Sequence, residues 1–327
     1  MTLQRRRFLQ IAAGTASLTA FGNSVAAHTW PSRNIALIVP FPAGGGVDTI
    51  GRVAAERLTL ALKLAVVVDN RGGAGGTIGT RAVARADPDG HTLLLGHTGT
   101  LAINPSLYDN AGYDPRKDFA PIGLIASMPV LLIAHPSFPA KTLADVIALA
   151  RKEPGKLNFG TPPVGTGAHL TAEYFKSAAG IEMQIIPYRG TAPLMNDLVA
   201  GHVTIAFGVL PPAIGNIQAG GLRAITVTGN KRLSLLPEVP TANESGLPGF
   251  DSVLHYGLLA PAGTPRPIVD RLNAELNEAL ATDAIRQHIQ NEGGNIITST
   301  PDEYIRDIDR EEVKWAALIK KLNLKVQ

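Results

Sequence analysis

Apolar runs alternate with glycine-rich and polar breaks along this chain, and the alternation itself lays out the elements. Ile35 to Val39 is a short, mostly β-branched run, the pattern of a buried strand. Pro40 and Pro42 stop it, and Gly44, Gly45 and Gly46 turn the backbone into a helix predicted over Val47 to Leu62. Within that helix Val53, Ala54, Leu58, Ala61 and Leu62 recur at helical spacing, leaving Arg52, Glu56, Arg57 and Lys63 for solvent. A glycine loop opening a helix gathers unpaired N–H groups at the positive end of the helix dipole. It suits an anion.

The unit then repeats. Ala65 to Val68 predicts a strand, Asp69 to Gly76 a loop, and Thr77 to Ala86 a helix with Thr77 as its N-cap. After the Pro88-Asp-Gly90 turn, His91 to Leu95 predicts a strand and Gly96 to Thr100 a third small-residue loop before Leu101 to Leu107. Successive strand–loop–helix units predict an α/β fold with a parallel sheet, whose ligands sit beyond the carboxyl ends of the strands. Phe119 to Ala134 is apolar and broken at Met128-Pro129, which predicts two short strands, the second entering another lobe. A helix over Thr142 to Lys152, a loop over Gly160 to Gly167 and a helix over Ala168 to Ala178 restart the same architecture. Strands over Met183 to Pro187, Val203 to Val209 and Leu222 to Thr228 alternate with helices over Ala192 to Ala200 and Ala213 to Gln218. Tyr256 to Ala260 predicts a strand leading to helices over Pro267 to Ala281, Asp283 to Asn291 and Pro301 to Leu322. The pattern therefore predicts two α/β lobes, the C-terminal segment returning to the first, with a loop-lined cleft between them, a common place for a small molecule.

The chain's start alters the charge reckoning. Gln4 to Gln10 carries Arg5, Arg6 and Arg7, Ile11 to Phe21 is apolar but too short to span a bilayer, and Val25-Ala-Ala27 offers small residues for cleavage. Residues 1–27 are therefore expected to be an export signal, the paired arginines before Phe8-Leu9 resembling the twin-arginine class. The whole chain carries 30 Lys+Arg and 27 Asp+Glu; without those three arginines the two are equal. A neutral body argues against nucleic acid or an anionic membrane as partner. A soluble, periplasmic mature protein is expected. With no cysteine there is no disulfide, thiolate nucleophile or Cys-ligated metal.

Enzymatic signatures fare badly. There is no Gly-x-Ser-x-Gly elbow, no Gly-Lys-Ser/Thr after a glycine loop and no His-Glu-x-x-His. The loop Gly72 to Gly79 does not give Gly-x-Gly-x-x-Gly in register, and the 8 histidines are scattered, so neither a cofactor nor a metal is expected.

Several segments, taken in order, carry a resemblance: Val39 to Asp48, Asp69 to Thr77, Pro88-Asp-Gly90, Asp114 to Pro121, Pro187-Tyr-Arg-Gly190, Leu235 to Thr241 and Ala260 to Pro265. Together, over nearly all the mature chain, they resemble the Bug-type receptors of tripartite tricarboxylate transporters. The resemblance implies the two-lobed periplasmic binding protein fold of type II with an interlobe ligand cleft. It implies a receptor, not an enzyme, that captures a small carboxylate and delivers it to permease subunits of the transporter, as a monomer. The lobes would comprise residues 28–127 with 255–327, and 128–254, hinged near 126–130 and 252–256. The alternatives are a periplasmic enzyme on the same fold, with His97 or His169 as base, and a ligand sensor for a signalling partner.

Carried over by position, the resemblance implies ligand contacts from Phe41, Ala43, Gly44, Gly45 and Asp48 in the first loop, Gly75, Gly76 and Thr77 in the second, and His97 with Thr98 in the third. From the second lobe it implies Thr161, Val164, Gly165, Thr166 and His169, Tyr188 and Thr191, and Phe207 with Gly208. Plain turn geometry is the competing explanation for the glycines, helix capping for Asp48 and Thr166, and surface pairing for Asp69 and Arg71. Two departures bear on the ligand. Relatives often carry an aspartate after the equivalent of Phe207, suited to an ammonium, where this chain continues Gly208-Val209-Leu210; and His97 and His255 stand where relatives have a small hydroxyl residue and a tryptophan. A di- or aromatic carboxylate without an amine is expected.

Overall fold

A computed structural model describes residues 30–326. The expected export signal lies outside them.

The first strand, β1 (Ile35–Val39), leads through α1 (Gly46–Leu62) to β2 (Val66–Asn70), and this through α2 (Thr77–Ala84) to β3 (Thr92–His97). β1 lies between β2 and β3, parallel to both. Thr77 does not cap α2. It is the helix's first residue behind Gly76, whose φ of 92° favours glycine, and its hydroxyl donates to the Ala74 carbonyl at 2.9 Å. β3 also runs two residues past the expected end, so Gly96 and His97 belong to the strand. A π-helical stretch, Gly99–Ile103, follows and passes into the short α3 (Asn104–Leu107). Such stretches are frequent at functional sites.

The chain then crosses. β4 (Phe119–Pro129) runs straight through Met128, and the break falls at Val130, before β5 (Leu131–Ala134) enters a second sheet. That sheet is completed by α4 (Leu143–Lys152), β6 (Asn158–Thr161), α5 (Gly167–Ala179), β7 (Gln184–Pro187), α6 (Thr191–Val199), β8 (Ile205–Gly208), α7 (Ile214–Gln218) and β9 (Arg223–Val227). β10 (Val253–Pro261) returns to the first sheet, followed by α8 (Arg266–Ala281), α9 (Asp283–Asn291), the short β11 (Asn295–Ile296), absent from the sequence pattern, and α10 (Pro301–Leu322). The strand orders are β11-β4-β10-β3-β1-β2 and β7-β6-β8-β5-β9.

Both sheets are mixed, where the repeated strand–loop–helix units predict parallel ones. β10 lies antiparallel to β3 and β4, and β5 antiparallel to β8 and β9. The reason is the path. β4, β5 and β10 carry the chain between lobes, so their directions follow from the crossings and not from helical crossovers.

One threonine ties the crossings together. The Thr228 hydroxyl accepts the Val130 N–H at 3.0 Å and lies 2.9 Å from the Val130 carbonyl and 2.5 Å from that of Ser252. Backbone bonds run beside it, Thr228 N–H to Val130 and Ser252 N–H to Thr228. Each lobe has its own core: Ile38, Leu94, Phe119, Leu259, Tyr304 and Ile308 in the first, Leu131, Ile133, Leu194, Leu198 and Val227 in the second. Removing the Thr228 hydroxyl should therefore loosen the knot without emptying a core. Thr228→Val is expected to cost about 1–3 kcal/mol, because the Val130 N–H is left buried without its side-chain partner. An unchanged urea midpoint would show that the hydroxyl carries none of this strength.

Candidate functional site

Two paired strands aim the site. Gly257 on β10 lies opposite Gly96 on β3, and Tyr256 opposite His97. The glycines face α10, where a Cβ on Gly257 would stand 2.5 Å from the Tyr304 ring and one on Gly96 2.9 Å from its hydroxyl. Successive strand residues face opposite sides, so His97 and Tyr256 emerge toward the cleft. Their ring centroids are 5.2 Å apart, and Phe41, from the loop after β1, meets His97 edge-on at 5.3 Å.

His97 is held in one protonation state. Its Nδ1 accepts the Gly99 N–H at 2.9 Å, so the ring proton resides on Nε2. Burial pushes the imidazole pKa down from 6.5 to about 3, and burial likewise raises the Tyr256 phenol. Both groups are uncharged at neutral pH.

Helix starts from both lobes complete the site. α1 begins behind Gly45 and α6 behind Gly190, neither with a side-chain cap. α5 begins behind Thr166, whose hydroxyl accepts the His169 N–H at 3.3 Å and donates to the Pro163 carbonyl at 2.7 Å. These starts enclose a cavity of about 50 Å³ lined by Phe41, Pro42, Gly45, Gly46, Val47, His97, Pro162, Pro163, Thr166, Ala168, Gly190, Thr191, Val209, Leu254 and Tyr256. Its walls are largely apolar, and its polar surface is His97, Tyr256, two threonines and helix-start backbone. None of the residues lining it is Lys, Arg, Asp or Glu.

An acid next to the lining residue Val47 shapes the first loop. Asp48 is buried in the first turn of α1; its carboxylate accepts from Gly44 N–H, Arg52 Nε and Asn70 Nδ2, each at 3.0 Å, and Asn70 also donates to the Phe41 carbonyl at 3.0 Å. Burial alone would raise the Asp48 carboxyl, but the hydrogen bonds from Arg52, Gly44 and Asn70 outweigh it and hold it below its ordinary value. The acid at the helix start thus braces the loop.

The lobes meet closely around this cavity. A Cβ on Gly46 would lie 2.6 Å from Val209 Cγ2, and one on Gly45 3.2 Å from Thr191 Oγ1. Farther back, Tyr108 Oη donates to the Val164 carbonyl at 3.4 Å, while Leu170 of α5 is buried with Ile103, Leu107, Trp315 and Ile319.

Of the residues singled out in the sequence, Phe41, Gly45, His97, Thr166 and Thr191 line the cavity. The others lie elsewhere. Ala43 and Gly44 are exposed; Gly75, Val164 and Gly165 pack lobe against lobe; Gly76 forms the turn before α2 and Thr77 is the first residue of that helix. Thr98 accepts the His255 N–H at 2.7 Å, and the His255 ring pairs with Asp307 at 2.7 Å, outside the cavity lining. Thr161 and His169 are buried, Oγ1 and Nδ1 without hydrogen-bond partners. Tyr188 donates to Asp197 at 2.8 Å, Phe207 stacks on Phe159 with centroids 5.5 Å apart, and Gly208 is buried beside it. Asp69 and Arg71 pair at the surface at 2.8 Å. The lining residues missed by sequence are mostly wall positions such as Pro162, Val209 and Leu254, which look like core in any apolar pattern. Tyr256 had one signal in the sequence, an aromatic residue beside Gly257 in a predicted strand.

Residues 50–324 match the family described as the tripartite tricarboxylate transporter family receptor. Three solved structures share the fold at high similarity. The periplasmic binding protein BugD is 37% identical with a TM-score of 0.85, over 91% of this chain and 100% of that one. R. palustris Rpa4515 with adipate is 34% identical, TM-score 0.87, over 91% and 100%. MatC from Rhodopseudomonas palustris with bound malate is 32% identical, TM-score 0.84, over 89% and 100%.

Two buried neutral histidines make stability depend on pH. Burial, with a smaller contribution from Lys176, lowers His169 to about 4, as burial lowers His97 to about 3, both from 6.5. The unfolded chain therefore binds more protons than the folded one as pH falls below the unfolded value. Their contribution is fully present above about pH 6.5 and is lost on acidification toward the folded values, with a slope of about 1.4 kcal/mol per pH unit for each histidine. His169→Gln should flatten the dependence of the urea midpoint between about pH 6.5 and 5; a slope identical to the wild type's would mean that His169 is not held neutral.

Proposed function

The chain belongs to the tripartite tricarboxylate transporter receptor family, and from that premise we propose that it is a periplasmic solute-binding receptor for a small amine-free carboxylate. It closes its lobes on a di- or aromatic carboxylate and delivers it to the permease subunits of the transporter, acting as a monomer after export. The observation that carries this reading is the meeting of uncapped helix starts from both lobes, behind Gly45 and Gly190, on one cavity whose lining holds no charged side chain. Helix-start N–H groups are strong partners for a carboxylate oxygen, and the helix dipole adds to them. With no acid in the lining, an ammonium would be buried without a counter-charge, which is costly.

The ligand class agrees with the relatives. Rpa4515 carries adipate and MatC carries malate, both diacids without an amine. An aromatic acid suits the same walls of Phe41, Pro162, Val209 and Leu254. Closure follows from differential contact, since an anion bridging α1 and α6 stabilises only the arrangement in which both starts reach it. An enzyme would need a base in this cavity, yet the Nδ1 lone pair of His97 is taken by Gly99 and His169 is not among the lining residues.

A thermal-shift screen of mono-, di-, tri- and aromatic carboxylates, amino acids and nucleotides tests the reading. A carboxylate at a hundredfold excess over its dissociation constant should stabilise the protein by about 2.7 kcal/mol. Gly45→Leu should abolish that shift by filling the space beside Thr191, while the ligand-free midpoint stays within about 3 °C of wild type, since Gly45 has an ordinary φ of −97° and lies partly exposed. A shift with nucleotides only, or undiminished carboxylate binding by the variant, would count against the assignment.

A further inference from the structure

The receptor reading leaves open how a cavity without charge tells one anion from another. We propose that His97 is a specificity-determining residue that donates from Nε2, as an uncharged group, to an oxygen of the bound anion, and thereby rejects ligands that place an ammonium at that point. The inference rests on the receptor reading and adds a named discriminator to it.

An unconstrained imidazole can donate or accept at either nitrogen. This one cannot. Gly99 N–H occupies Nδ1 at 2.9 Å, and the glycine is required for that approach, since a Cβ at Gly99 would stand 2.8 Å from Nδ1. The backbone of His97 is fixed as well, its N–H bonding to Thr100 Oγ1 at 3.3 Å while that hydroxyl donates to the His97 carbonyl at 3.0 Å. The ring is clamped between Phe41 and Tyr256 and is only 2% exposed. The ring lines the cavity, and the one polar group it has left is the Nε2 N–H. An oxygen acceptor completes it, whereas an ammonium, with no acceptor to give, meets the positive end of the N–H dipole.

The surroundings do not supply a compensating charge. Of the elements that line the cavity with His97, β10 contributes Tyr256, a phenol kept neutral by burial, and the loop after β1 contributes Phe41 and Pro42. The second lobe contributes Thr166, Thr191, the two prolines, Ala168 and Val209, none of them titratable. Asp48 lies outside the lining and is paired with Arg52. A neutral donor makes binding indifferent to pH over a range where a cationic histidine would lose its charge.

Calorimetric titration of the mature protein with adipate, malate and phthalate, and with 2-aminoadipate and aspartate as amine-bearing counterparts of the first two, tests this. For the tightest of these acids, the dissociation constant of the wild type is expected to stay within about twofold between about pH 6.5 and 8.5. The amine-bearing counterparts should bind at least about tenfold more weakly than their parent acids. His97→Leu should weaken the tightest acid by about tenfold or more, while His97→Gln, whose amide nitrogen reaches the place of Nε2, should stay within about fivefold. A wild-type affinity that falls about tenfold or more across that pH range would mark a cationic histidine and overturn the proposal without any variant. Undiminished binding by His97→Leu, or equal affinity for malate and aspartate, would overturn it and leave the receptor reading standing. Failure of the wild type to bind any acid of the thermal-shift panel would remove both.

Discussion

α1 opens with N–H groups that no side chain of the protein caps, and much of the candidate site is arranged around them. Helix starts buried without partners are unfavourable, and proteins ordinarily satisfy them with a serine, threonine or acid at the cap. Here the cap position is Gly45, and the acid that might have served, Asp48, turns back to Gly44, Arg52 and Asn70. That carboxylate fixes the loop, and the loop fixes the donors. α6 likewise starts without a side-chain cap, from the other lobe behind Gly190. α5 differs, because Thr166 partly answers its own helix. The cleft therefore pairs two open starts with one that is capped.

Aim comes from a second constraint, the glycine pair of β3 and β10. With Gly96 and Gly257 facing Tyr304, α10 can approach the sheet closely, and strand alternation turns His97 and Tyr256 to the opposite face. The C-terminal helix, though far from the cavity in sequence, is thus part of what orients it. α10 is itself well specified, with a Thr300–Glu303 capping box at its start and Trp315 fully buried near its end.

Much of this was legible in the sequence. The apolar runs gave nearly every strand and helix, and α9 and α10 have the bounds their periodicity predicts, because a long amphipathic pattern leaves little freedom. Strand direction was not legible, since β4, β5 and β10 owe theirs to crossings between lobes and not to local pattern. β11, two residues long, has no periodicity to detect. In the site, the glycine loop after β1 and the departure at His97 stood out by residue type. Gly75, Gly165 and Thr98 looked equally suited to a ligand, yet they serve contacts between lobes or between strands, a distinction that depends on tertiary placement. Wall residues such as Leu254 and Val209 carry no chemical signature at all.

The backbone character of the open helix starts has a consequence for how such a receptor diversifies. A peptide N–H is present at Gly46 or Thr191 whatever happens to neighbouring side chains, so the anchoring of an acid group proposed above would not depend on keeping any particular ionisable residue. The walls, by contrast, are made of side chains from several loops and strands. Anchoring and discrimination are in this sense inherited separately, and a lineage can exchange one carboxylate for another by repainting the walls of a cleft whose grip it never has to reinvent.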